Sequence, residues 1–104
     1  MKLIIDSPET LGRVIRASRK AMGMRQDDAA GSIGVSENFL GKVERGGETV
    51  QWGKLFQVMQ ELGLAVSVEV PDQFAADVEK NLKFRQGKVV PGHAASLGRN
   101  EVEP

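Results

Sequence analysis

Apolar positions along the chain predict four helices, one short strand and a fifth helical stretch. Leu11, Val14, Ile15 and Met22 recur at helical spacing. Ser7-Pro8-Glu9 opens that helix, with Ser as cap, Pro at the first helical position and Glu near the positive end of the dipole. Gly23 closes it. Gln26 opens a second helix with small Ala29 and Ala30 and the apolar anchor Ile33. Gly34 suits the left-handed conformation that ends a helix, and Ser36 suits the N-cap of the next. In that third helix Leu40 and Val43 share the inward face, leaving Glu37, Asn38, Gly41, Lys42 and Arg45 on the others. After Gly46-Gly47, Thr49 is a possible cap for a fourth helix to about Leu62. Trp52, Leu55, Phe56, Met59 and Leu62 form its expected stripe, widened by Val58, with Trp52 read as core.

The period then changes. Leu64, Val66, Val68 and Val70 alternate with Ala65, Ser67 and Glu69, the pattern of a half-buried strand. One strand after four helices has nothing in its own domain to pair with, and an isolated strand is unstable. The simplest resolution is pairing with the same strand of a second copy across a two-fold axis. The alternative is Leu3-Ile4-Ile5 of the same chain, an apolar run that can add to a sheet edge or pack under the first helix. Beyond Pro71, Phe74, Val78 and Leu82 fall at four-residue steps, with Glu79 and Lys83 also four apart, as in a short amphipathic helix. Beyond Phe84 the chain is Gly-rich and polar without a period, and mobility is expected.

Composition narrows the chemistry. The 104 residues fit one small domain. The lack of cysteine excludes disulfides and thiolate metal sites, and makes a reducing cytoplasm the expected location. No apolar run suits a membrane span, and the opening MKLIIDSPET lacks a secretory pattern. His93, the only histidine, has no neighbours at ligand spacing, so neither metal nor cofactor is expected. No nucleophile–base set, paired carboxylates or phosphate loop suggests an enzyme. Net charge is zero, yet Leu11 to Lys54 carries eight basic residues against five acidic ones, a local +3. That modest excess suits nucleic-acid binding in duplicate. Arg13, Arg16 and Lys20 on the first helix can meet phosphates or simply be solvated.

Gln26 with Ala30, Gly34-Val35-Ser36, Leu40 and Val43-Glu44-Arg45-Gly46 resemble the signature of the Xre-type (phage-repressor) helix-turn-helix family, from about Leu11 to Leu64. Ala29 departs from it, since leucine is usual there, so the space beneath the second helix must be filled from elsewhere. The four helices followed by Leu-Gly-Leu and one short strand resemble, within that family, the HipB-like antitoxins of HipBA toxin–antitoxin modules.

The resemblance implies a mainly α, four- to five-helix lambda-repressor-like domain over residues 1–71, closed by a β-strand at 64–70 that forms an intersubunit sheet. Residues 72–104 follow as a C-terminal tail. It also implies base-facing roles for Ser36, Glu37, Asn38 and Gly41, with Lys42 beside them, and backbone contacts from Arg25, Gln26 and Arg45. Arg19 and Glu44 would form a structural ion pair, and Leu64, Val66, Val68 and Val70 the dimer interface. The implied function is that of a homodimeric, nucleoid-associated repressor that binds double-stranded operator DNA. It would also neutralise a HipA-like Ser/Thr kinase toxin. The alternative is a stand-alone phage-type repressor or restriction-modification controller without a kinase.

Overall fold

The computed structural model describes residues 1–82. Its elements are α1 (Pro8–Ala21), α2 (Gln26–Ile33), α3 (Glu37–Glu44), α4 (Trp52–Glu61), a 3-10 turn at Asp72–Phe74, and α5 (Ala75–Leu82). The Ser7 hydroxyl accepts from the Thr10 N–H at 3.1 Å, satisfying one of the free donors at the start of α1. Gly34 ends α2 at φ +95°, a left-handed conformation that other residues adopt only with strain. Ser36 then caps α3 by accepting from the Phe39 N–H at 3.0 Å. At the other end of α2, the Ile33 carbonyl receives the Gln57 side-chain amide of α4 at 2.9 Å, so one helix completes the end of another. The start of α4 differs from expectation: Gln51, not Thr49, occupies its cap position, and no side chain caps it.

The chain divides into two compact units, Met1–Leu64 and a second beginning at Ala65. The core of the first is Ile15, Ala29, Ala30, Ile33, Val35, Leu40, Val43, Leu55, Val58, Met59 and Leu62. Ala29 is fully enclosed in this cluster despite its small size. Two backbones come close at Gly12. A Cβ there would lie 2.5 Å from the Val43 carbonyl oxygen and 2.8 Å from that of Glu44. Helix α1 therefore rests on the last turn of α3 with no side chain between them.

Two sequence expectations fail in α4. Trp52 is 71% exposed and Phe56 also faces outward, their rings 5.2 Å apart. The buried face runs through Leu55, Val58, Met59 and Leu62, and Phe56 falls off that line. Trp52 opens the helix where the core ends, and Val50 packs against that end.

Among the described residues no strand forms. Leu64 is half-buried and its N–H donates to the Met59 carbonyl at 2.8 Å, while Val66, Val68 and Val70 are exposed. A strand needs a ladder partner, and within one described chain neither Leu3-Ile4-Ile5 nor any other segment supplies it. Helix α5 occupies the predicted stretch, with Phe74 and Leu82 exposed and Val78 half-buried. The expectations for Lys83 onward, His93 included, lie outside the described residues.

Candidate nucleic-acid interface

One ionic hub fixes α3. The Arg19 Nε and Nη2 donate to the two Glu44 carboxylate oxygens at 2.6 and 2.8 Å, a fork-to-fork pair. Its side chains are only 7% and 2% exposed. Nη1 of the same guanidinium donates to the Met24 carbonyl at 2.8 Å, holding the turn between α1 and α2. The Gln26 Nε2 donates to Glu44 Oε1 at 3.1 Å, tying in the start of α2. Three elements thus meet on the last residue of α3.

The electrostatics follow from this geometry. Burial works to raise the Glu44 carboxyl, but hydrogen bonds from Arg19 and Gln26, with the charges of Arg19 and Arg16, leave its pKa below the ordinary value. The hydrogen bond to Glu44 raises the Arg19 pKa against the opposing effect of burial. No buried side-chain polar atom among the described residues lacks a partner. The hub is fully satisfied.

The outward arc of α3 consists of Glu37, Gly41, Arg45, Asn38 and Lys42, in that angular order at about 100° per residue. All except Gly41 are exposed. Gly41 lies within the arc yet is buried, because side chains cross over it. A Cβ at 41 would meet Arg45 Nη1 at 3.0 Å and Gln26 Oε1 at 3.5 Å. The last turn of α3 and the start of α2 therefore bring polar groups together above a residue with no side chain. On this face Gln26 and Arg45 lie over Gly41.

The other predicted positions are placed as follows. Ser36 is exposed, and its hydroxyl keeps its O–H free to donate while accepting the cap bond. Arg25 lies at the surface, paired with Asp27 at 2.9 Å, an exposed contact worth about 0–1 kcal/mol. Lys54, at the start of α4, has its ammonium 5.9 Å from the centre of the Phe39 ring. Sequence reasoning missed Gly12, the Gln26–Glu44 bond and the Met24 carbonyl. Only Gly12 left a signal, as a helix-breaking residue between Leu11 and Ile15.

Comparison with protein families matches residues 10–68 to a helix-turn-helix domain. The HTH-type transcriptional regulator y4mF of Sinorhizobium fredii (strain NBRC 101917 / NGR234) is 38% identical over 69 residues, 66% of this chain and 91% of that protein. Among solved structures, the HipB chain of a HipA–HipB–O2–O3 complex superposes with a TM-score of 0.61 at 21% identity. It covers 68% of this chain and all of that one. A HipB–O4 20mer complex gives the same values. No helix among the described residues is long and apolar enough to cross a membrane. With its matched domain, its y4mF relative and a HipB-like fold, the chain belongs to the Xre-type helix-turn-helix family of transcriptional regulators.

Proposed function

We propose that this chain is a sequence-specific, homodimeric operator-binding repressor and the antitoxin of a HipBA-type module. The observation that carries the DNA reading is the polar arc of α3, held by the Arg19–Glu44–Gln26 hub and presented to solvent. An α-helix with such a face fits the major groove. Asn38 suits adenine N6 and N7, and Glu37 can accept from cytosine N4. Ser36, Gly41 and Lys42 complete the reading face. Arg25, Gln26 and Arg45 hold phosphates and fix register without reading sequence.

The dimer forms by antiparallel pairing of residues 64–70 from two copies, with Leu64, Val66, Val68 and Val70 on one face. The exposure of Val66, Val68 and Val70 in the single chain supports this, because among the described residues these valines have little cover. Two copies then set their α3 helices in successive major grooves, about 34–36 Å apart. The kinase reading rests on the fold shared with HipB, whose solved complexes include one with HipA.

The test is to purify the chain with the product of its neighbouring reading frame and to titrate each with duplex from the operon's own promoter. Co-elution of a HipA-like kinase and salt-dependent duplex binding are expected. Duplex binding without co-elution selects a stand-alone repressor or restriction-modification controller. Failure to bind duplex at low salt overturns the DNA reading.

A further inference from the structure

The start of α2 carries an unexpected charge for a stretch that meets phosphates. Asp27 and Asp28 follow Arg25 within the first turn and leave these positions with one net negative charge. Arg25 is also engaged already. Its Nη2 donates to Asp27 Oδ2 at 2.9 Å, while Asp27 Oδ1 accepts from the Asp28 N–H at 2.8 Å. We infer, on the backbone role of Arg25 proposed above, that Asp27 is an internal competitor of the DNA phosphate for Arg25. It is an autoinhibitory contact that lowers duplex affinity for every sequence alike.

Each oxygen of the Asp27 carboxylate has its own partner. Arg25 occupies the N-cap position of α2, but its side chain makes no capping hydrogen bond. The Asp28 N–H, one of the donors left free at a helix start, is taken by Asp27 Oδ1 instead. That bond holds the carboxylate in place, with its second oxygen against the guanidinium. Like a phosphate, an ionised carboxylate offers a guanidinium negative charge and acceptors only. While Arg25 is paired with it, the cation neutralises no phosphate. The counterion release that drives duplex binding is then lost at this position.

The pair is loose enough to open. Its side chains are 76% and 43% exposed, and Nη2 alone reaches the carboxylate, without the fork that joins Arg19 to Glu44. Exposed pairs of this kind shift an equilibrium by no more than about five-fold. Duplex can therefore displace Asp27, which reduces affinity without blocking the site. Once displaced, Asp27 stands beside a phosphate without its cation, and the two anions repel.

Asp27→Asn tests this while keeping the helix start, because asparagine retains an oxygen for the Asp28 N–H and loses the charge. The full chain is titrated by anisotropy with the promoter duplex and with a scrambled duplex, over a series of salt concentrations. Asp27→Asn should bind both duplexes more tightly, by about three- to five-fold per copy at low salt. The slope of log affinity against log salt should steepen by up to about 0.9 per copy. In an Arg25→Gln chain the same change should give no more than Asp28→Asn gives, since Asp28 has no ion pair among the described residues. Weaker binding by Asp27→Asn would mean that Asp27 aims Arg25 at the phosphate, and it overturns the competition. So does an equal gain with and without Arg25, the mark of plain repulsion, or a gain confined to the promoter duplex. In each of these cases the unmodified chain still binds duplex and the DNA reading stands. No binding by any of the chains at low salt overturns both. The altered side chains are exposed, so matching urea midpoints should show that every variant folds.

Discussion

Arg19 and Glu44 sit 25 positions apart and meet through two parallel hydrogen bonds inside the first unit, with Gln26 as a third partner. Breaking such a pair strands a buried charge, which costs far more than the intact pair contributes. Arg19→Ala should therefore lower unfolding free energy by about 3–5 kcal/mol. Urea titration followed by circular dichroism measures this. Replacing both partners by apolar residues of similar size should cost much less, and an equal cost for the two variants would contradict the account.

Acid should undo the same contact. The Glu44 carboxyl has a folded-state pKa below its unfolded value, so it binds a proton less readily when folded. Its stabilising contribution is complete above the unfolded pKa, about 4.3, and is lost as pH falls through the lower folded value. Urea midpoints taken from neutral pH downward should drop steeply below that range. In the doubly apolar variant this part of the acid dependence should be missing.

Two glycine-to-alanine changes should act in opposite ways. At Gly12 the new methyl meets backbone carbonyls of α3 that cannot move aside. Gly12→Ala should destabilise by about 1–3 kcal/mol, despite alanine's better helix propensity, as measured by thermal or urea unfolding.

At Gly41 the methyl meets only the ends of the Arg45 and Gln26 side chains. Gly41→Ala should keep stability or gain up to about 0.5–1 kcal/mol from helix propensity. The same change should weaken duplex binding, because the Arg45 guanidinium, 3.0 Å from the new methyl, must shift on the proposed DNA-facing side. Unfolding and fluorescence anisotropy on one preparation test both halves.

Asn38→Ala should relax preference at a single base pair, by about 1–3 kcal/mol of discrimination. Anisotropy against a set of single-substitution duplexes measures it. A uniform loss across the set would instead make Asn38 a backbone contact.

Much of this was legible in the residues because it depends on local rules. Ser7-Pro8, Gly34 and Ser36 fix helix ends by chemistry acting within a few positions, and the helices begin and end beside them. Trp52 was misjudged because spacing gives the direction of a side chain but not how far the core extends beneath it. The strand expected at 64–70 depends on a hydrogen-bonding partner, which no local pattern within one chain can supply. The Gln26–Glu44 bond joins positions 18 apart, and only the folded crossing of α2 and α3 brings them within reach.

The close seat of α1 on α3 at Gly12 separates the mounting of the reading helix from its vocabulary. The mount is backbone on backbone, locked by an ion pair on the inward side, and it does not depend on which outward residues α3 carries. On the proposed function, exchanging Glu37, Asn38 and Lys42 should retarget the molecule to new duplex sequences while its frame stays the same.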